Sequence, residues 1–210
     1  MNRKGILIVV SGFAGSGKGT LMKELLNQYD NYALSISATT RKPRGQEVDG
    51  KEYFFKSVEE FEKMIAQEEL IEYANYVGNY YGTPKAYVEE QLASGKDVVL
   101  EIEIQGALKV KEQFPETLLL FVTPPNATIL KERLVGRGTE TMEVIEQRMK
   151  RAAEESEGNL SYDYLLINDD LQTCVEQMHH IIQSEHYRSS RNENFVSQIQ
   201  KELKGNVKGE

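Results

Sequence analysis

The chain has 210 residues, of which 40% are hydrophobic and 28% charged, as in a globular protein with a buried core. Its formal net charge of −8 argues against broad nucleic-acid binding, so any phosphate site must be a local basic cluster. No apolar stretch approaches the roughly 20 residues of a membrane span, and we expect no signal peptide. The single cysteine, Cys174, excludes an internal disulfide and favours a reducing, cytoplasmic location.

A glycine-rich loop lies between the first predicted strand, 6–10, and the first predicted helix, 21–26. Such a strand–loop–helix unit is typical of a P-loop, in which backbone N–H groups and the positive end of the helix bind phosphate. Lys18 is expected to reach the β- and γ-phosphates of a nucleoside triphosphate. Gly19 stands where the pattern G-x-x-x-x-G-K-[ST] has a magnesium-binding hydroxyl, and Thr20 follows. The predicted loop residues are Gly12, Phe13, Ala14, Gly15, Ser16, Gly17, Lys18, Gly19 and Thr20.

A basic loop, predicted over 38–46, follows the next strand candidate, 32–37. From the loop to residue 51, four basic residues stand against two acidic ones, an excess that is informative in an acidic protein. The basic residues are Arg41, Lys42, Arg44 and Lys51, and the acidic ones are Glu47 and Asp49.

Short strands and one helix are predicted after this loop. Ser57 would be the N-cap of the helix and Glu60 its capping-box partner. A strand over 53–55 precedes the helix, and a hairpin that turns at Gly78 follows it. We expect this strand-rich insertion, 36–83, to lie outside the main sheet.

Strands and helices typical of an α/β core alternate through the rest of the chain, which predicts a parallel sheet. An arginine-rich helical stretch, 126–155, has a break at 136–138, and the last residues, 188–210, are polar with a weak amphipathic turn or two. The strand candidates are 97–104, 117–122 and 164–168, and the other helix candidates are 85–94, 106–113 and 171–187.

Over about residues 4–187, the chain resembles the guanylate kinases, a family of P-loop nucleoside monophosphate kinases. The matching motifs are the glycine-rich loop and the segments 37–44, 52–53, 71–73, 78–83, 105–106, 136–140 and 167–170. The resemblance implies phosphoryl transfer from ATP to GMP or dGMP with Mg²⁺. It also implies a three-layer α/β/α core with a parallel sheet, a GMP-binding insertion and a helical lid. The implied divisions are a core (1–35, 84–125 and 156–187), the insertion (36–83), the lid (126–155) and a C-terminal extension (188–210).

GMP recognition is assigned by the resemblance to residues whose chemistry fits the task. Arg41 and Arg44 supply guanidiniums suited to a phosphate dianion, and Tyr53 and Tyr81 add hydroxyl donors. Glu72 is assigned to guanine, because a carboxylate accepts from the N1–H and N2–H₂ donors that adenine does not present there. The predicted GMP-binding residues are Ser37, Arg41, Arg44, Tyr53, Glu72, Tyr81, Thr83 and Glu103.

The resemblance also assigns residues to ATP, to the metal and to catalysis. Glu101 and Glu103, two apart on a predicted strand, are expected to point to the same side, where the family usually has aspartates. Thr20 and Glu101 are assigned to Mg²⁺, Glu101 through water. Besides the loop, the ATP-binding residues are Arg133, Arg137 and Asn168, and the catalytic residues are Lys18, Arg41, Arg137 and Arg148. The acceptor phosphate is already ionised, so no general base is expected.

Two other functions stay open at this point. Guanylate-kinase-like domains of scaffold proteins bind phosphopeptides, although they typically lack a working P-loop. The Gly-Lys-Gly-Thr run also resembles adenylate kinases, which use another acceptor, whereas Glu72 and the basic loop favour GMP. The expected partners are ATP and GMP or dGMP, without nucleic acid or membrane, and the sequence is compatible with a homo-oligomer.

Overall fold

A computed structural model describes residues 4–76, 78–136, 138, 141–157 and 161–207. The described residues form two sheets. The strands are β1 (Leu7–Gly12), β2 (Tyr32–Leu34), β3 (Ala38–Thr39), β4 (Phe54–Phe55), β5 (Leu70–Tyr76), β6 (Asn79–Pro84), β7 (Asp97–Glu101), β8 (Leu118–Thr123) and β9 (Tyr164–Ile167). The larger sheet has five parallel strands in the order β2-β7-β1-β8-β9, so β1 lies at its centre.

Helices connect and cover the strands. They are α1 (Lys18–Gln28), α2 (Val58–Ala66), α3 (Lys85–Ala93), α4 (Ile104–Gln113), α5 (Ala127–Gly136), α6 (Met142–Ser156), α7 (Leu171–Glu185) and α8 (Glu193–Val207). None of them, within the part of the chain that the structure describes, is both long and apolar enough to cross a membrane.

The central strand is apolar because both of its faces are buried. Ile8 and Val10 pack with α1 and α7 on one face of the sheet. Leu7 and Val9 pack with α3 and α4 on the other face. A continuous apolar run is what a parallel strand between two helical layers requires. The predicted three-layer α/β/α fold with a parallel sheet is therefore confirmed.

The smaller sheet has four strands in the order β4-β3-β6-β5 and is formed within residues 38–84. β5 and β6 pair antiparallel as the predicted hairpin. The predicted capping box of α2 is confirmed, since the Ser57 side chain accepts from the Glu60 backbone N–H and the Glu60 carboxylate accepts from that of Ser57.

Two predicted strands end earlier than expected. β2 stops at Leu34, and the chain crosses to the second sheet at β3, inside the predicted loop. β7 stops at Glu101, and Glu103 is the N-cap of α4. The two glutamates therefore do not share a strand. Their alternation with isoleucine imitates a strand, although the chain leaves the sheet between them.

The C-terminal extension is more helical than predicted. A short 3₁₀ turn, Ser189–Asn192, precedes α8, which packs against it and has 15 residues. Arg191 anchors the turn to the core, because its guanidinium donates to the carbonyl of Glu116 at 2.7 Å. On α8 the apolar side chains of Phe195, Val196, Ile199 and Leu203 are exposed.

Candidate active site

The glycine-rich loop joins β1 to α1 at the centre of the parallel sheet. Gly15 and Gly17 have φ angles of 93° and 92°, in the left-handed region that glycine adopts at little cost. The Lys18 ammonium donates to the carbonyl oxygens of Gly12 at 2.7 Å and Phe13 at 3.1 Å. Its charge therefore lies against the first residues of the loop, beside the N-terminus of α1.

Two predicted ATP-binding residues contact this loop from other elements. The Asn168 side-chain amide donates to the carbonyl of Ser16 at 2.8 Å, and Arg133 Nη1 lies 3.4 Å from the same oxygen. A Cβ at Gly17 would lie 2.5 Å from Asn168 Nδ2, and one at Gly12 would lie 2.1 Å from the carbonyl oxygen of Val122. The glycines thus allow a close approach that a side chain would prevent.

The side chains predicted for Mg²⁺ supply oxygen from two elements. Glu101 ends β7 and lies opposite Val10 in the register with β1. Glu101 is exposed, yet desolvation by the surrounding protein raises the pKa of its carboxyl, and the Lys18 ammonium opposes this shift. Thr20 is exposed in the first turn of α1.

No three His, Cys, Asp or Glu side chains among the described residues cluster as a metal cage. Mg²⁺ keeps several waters and binds oxygen ligands. The hydroxyl and carboxylate at this edge therefore fit a metal held through water and ligand phosphates.

The predicted phosphate clamp comes together in the second sheet. Arg41 is buried, and its guanidinium lies 5.1 Å from the centroid of the Tyr53 ring. The rings of Tyr53 and Tyr81 are in edge contact, with centroids 6.2 Å apart. Arg41 donates to both carboxylate oxygens of Glu47, at 3.0 and 2.9 Å. The Arg44 side chain is exposed, while its backbone N–H donates to Glu47 at 2.7 Å.

The residues predicted for the base lie where the second sheet meets α4. The Thr83 hydroxyl donates to Glu72 Oε1 at 2.7 Å. Burial raises the pKa of Glu72, opposed by this hydrogen bond and by the charge of Lys109. A Cβ at Gly106 would lie 3.8 Å from Glu72 Oε2, so α4 faces the carboxylate with a glycine. Ser37 is half-buried just before β3.

The remaining predicted side chains belong to the start of α4 and to α6, or lie outside the described residues. Glu103 pairs with Arg151 of α6, which also donates to Glu155 at 2.8 Å. Arg148 is half-buried on α6. Arg137 lies outside the described residues.

Sequence reasoning missed the roles of Glu47 and Arg151 as ion-pair partners. In the sequence, a carboxylate beside a basic loop and an arginine on a charged helix both look like solvated surface residues. The only available signal for Glu47 was its position within the basic cluster.

Residues 4–185 match the protein-family model described as guanylate kinase. The chain belongs to the guanylate kinase family. Its curated relatives include a guanylate kinase from Halalkalibacterium halodurans, 55% identical over 188 residues, covering 90% of this chain and 92% of the relative. Another, from Bacillus cereus, is 53% identical over 191 residues, covering 90% and 93%.

A crystal structure of guanylate kinase from Anaplasma phagocytophilum has the same fold, with a TM-score of 0.70, 31% identity and 90% of each chain covered. The resemblance to guanylate kinases seen in the motifs is thereby confirmed. These relatives favour a guanylate kinase over the phosphopeptide module and over a kinase for another acceptor.

Proposed function

We propose that the protein transfers the γ-phosphoryl group of ATP to GMP or dGMP, giving ADP and the corresponding diphosphate. The observation that carries the choice of acceptor is the half-buried Glu72 carboxyl, which accepts from the Thr83 hydroxyl at 2.7 Å and faces Gly106 of the core. A carboxylate that is partly removed from water needs donors, and guanine supplies two from nitrogens bonded to the same carbon.

The donor end is the glycine-rich loop. Its backbone N–H groups and the N-terminus of α1 would hold the ATP phosphates, with the Lys18 ammonium alongside. Arg133 and Asn168 would bind ATP from the neighbouring elements, a role supported by their contacts with Ser16. Arg137 joins them on sequence grounds.

The acceptor end is the second sheet. Arg41, Arg44, Tyr53 and Tyr81 would bind the GMP phosphate, because guanidiniums and hydroxyls match a dianion. Ser37, Thr83 and Glu72 would bind the base. Glu103 is assigned to the GMP side, although its carboxylate pairs with Arg151.

The chemistry requires positioning and charge rather than a base. An ionised oxygen of the GMP phosphate attacks the γ-phosphorus in line, and the bond from that phosphorus to the ADP oxygen breaks. Lys18, Arg41, Arg137 and Arg148 would stabilise the charge on the transferred group. Mg²⁺, when bound, neutralises phosphate charge, and Thr20 and Glu101 would hold it, Glu101 through water.

We assign the moving parts to the divisions expected from the sequence. The insertion, 36–83, and the lid, 126–155, would close over the core, 1–35, 84–125 and 156–187, and exclude water that could hydrolyse ATP. We place the reaction in the cytoplasm, where both nucleotides are available and the thiol of Cys174 would stay reduced.

An ADP-release assay with GMP, dGMP, AMP, CMP and UMP tests this function. We expect turnover with GMP and dGMP that depends on Mg²⁺, and little with the others. Absence of turnover with GMP would refute the proposal, and faster turnover with AMP would refute the role of Glu72. A phosphopeptide-binding module would release no ADP with any acceptor.

A further inference from the structure

One carboxylate lies inside the predicted phosphate clamp without an assigned role. Glu47 accepts two hydrogen bonds from the guanidinium of Arg41 and one from the backbone N–H of Arg44, at 3.0, 2.9 and 2.7 Å. These donors come from the two arginines expected to bind the acceptor phosphate. Glu47 therefore fixes the geometry of the loop that carries both of them.

The hydrogen bonds of Arg41 define which of its edges remains for a ligand. A guanidinium carries five N–H donors in a rigid plane. Glu47 takes one donor from each terminal nitrogen, and the carbonyl of Lys42 takes the second from Nη1, at 2.8 Å. Neither Glu47 nor Lys42 takes a donor from the edge formed by Nε and the other Nη2 proton, and the Tyr81 hydroxyl also interacts with this guanidinium. This edge can still form a bidentate contact with phosphate.

Neighbouring side chains hold the guanidinium of Arg41 in place. Its guanidinium lies over Tyr53 and Phe55, with ring centroids at 5.1 and 5.9 Å. The Glu47 hydrogen bonds are the largest cause that raises the pKa of Arg41, and Tyr81 adds to the shift. The two rings limit the movement of the guanidinium, and the two hydrogen bonds to Glu47 fix its orientation.

We propose that Glu47 is a positioning residue for the acceptor phosphate, which holds the Arg41 fork so that its Nε–Nη2 edge meets the phosphate beside Tyr81. The inference rests on the proposed function, because it takes GMP as the acceptor. Glu47 itself does not touch the substrate. Misplacement of a positioning group by about 1 Å can cost on the order of 100-fold in reaction rate, and we take this as the upper limit for the loss of GMP affinity.

A competing role for Glu47 predicts the opposite change in GMP affinity when the carboxylate is removed. The carboxylate could occupy the clamp as an internal substitute for phosphate, which GMP would have to displace. Its pKa is lowered by the Arg41 hydrogen bond and by the Arg44 backbone N–H, so it is negatively charged at neutral pH. Removing a displaced carboxylate would tighten GMP binding, whereas removing a positioning carboxylate would weaken it.

The experiment compares Glu47→Gln and Glu47→Asp with the matched control Glu52→Gln. Glu52 lies in the same segment and accepts from the backbone N–H of Val48 at 2.7 Å. The dissociation constants of GMP and ATP, the inhibition constant of guanosine and the thermal midpoint are measured for each full-length protein. Guanosine lacks the phosphate, so it reports the base site alone.

We expect both Glu47 variants to bind GMP about 10- to 100-fold more weakly, with ATP and guanosine unchanged and the control like the wild type. Glu47→Asp keeps the charge but is one methylene shorter. Weaker GMP binding by this variant would show that the position of the carboxylate matters in addition to its charge. Tighter or unchanged GMP binding by Glu47→Gln would overturn the inference. Equal weakening of guanosine, or of GMP in the control, would also overturn it by showing a general disturbance. Failure of the proposed function is distinguishable, because the wild type itself would then release no ADP with GMP.

Discussion

Replacing Glu72 by glutamine is expected to impair the reaction while making the fold more stable. The substitution keeps the shape of the side chain and can preserve the 2.7 Å hydrogen bond from Thr83. It removes the charge and replaces one carboxylate oxygen with an NH₂ group, which cannot accept from guanine. Hydrogen bonds to charged groups contribute about 1.5–3 kcal/mol each, so the two bonds to guanine amount to about 3–6 kcal/mol.

These energies set the kinetic expectation. Because about 1.4 kcal/mol is tenfold, losing both bonds in Glu72→Ala should lower kcat/KM for GMP by about 10²- to 10⁴-fold. Glu72→Gln places its NH₂ donor against a guanine N–H group, so its loss of kcat/KM should lie within the same range. ADP release is measured against GMP concentration at saturating ATP, with ATP binding as the control for folding.

Stability should change in the opposite direction, with a pH dependence that follows from the raised pKa of Glu72. A carboxyl whose pKa is higher in the folded state stabilises the fold below its unfolded pKa, and this contribution is lost as the pH rises through the folded value. Glu72→Gln should therefore melt at a higher temperature than the wild type at neutral pH, and the difference should shrink on acidification. Unchanged kcat/KM for GMP in a folded variant, or a lower melting temperature at neutral pH, would refute this account of Glu72.

Other expectations follow from the loop, the clamp and the metal. Lys18→Ala should lower kcat by about 10²- to 10³-fold, as for loss of a transition-state charge partner, and near-normal kcat in a folded variant would contradict its role. If GMP binding desolvates the exposed Arg44 side chain, Arg44→Ala should cost about 2–4 kcal/mol of GMP binding by titration calorimetry, and an unchanged dissociation constant would remove it from the clamp. Gly12→Ala should destabilise the fold by about 2–4 kcal/mol in urea titrations, because its Cβ would lie 2.1 Å from the Val122 carbonyl at a φ of 153°. Gly19→Ala, with nothing within 4 Å of its added Cβ, is the control and should stabilise the fold by about 0.4–1 kcal/mol. Excess chelator should stop ADP release until Mg²⁺ is restored, and persistent turnover would exclude the metal.

The parts of the fold that were predictable depend on local patterns. An unbroken apolar run predicts the central strand, and the spacing of Ser57 and Glu60 predicts the capping box of α2. The strand predicted through Glu103 was too long. The alternation of glutamate and isoleucine continues after the chain has left the sheet at Glu101. The position where a strand ends depends on tertiary pairing, which the sequence pattern does not contain.

The residues of the candidate site were also predictable only where a local motif contains them. Residues that belong to a local motif, such as Lys18, were predicted at the junction of the loop and α1, where the structure has them. Residues that act through a partner were missed, because the pairing of Arg151 with Glu103 joins positions 48 apart in sequence. Glu47 is only six residues from Arg41, yet its bidentate geometry depends on the turn of the loop between them.

The bracing of Ser16 has a consequence for the energetics of ligand binding. In a planar trans peptide, the carbonyl and the following N–H point in opposite directions. By holding the Ser16 carbonyl, Asn168 and Arg133 therefore also orient the N–H of Gly17. The peptide dipole between Ser16 and Gly17 is therefore already oriented before an anion binds, so binding costs less free energy of reorganisation. A substitution at Asn168 would thus weaken the binding of nucleoside triphosphates and of inorganic anions by a similar factor, whatever base the nucleotide carries.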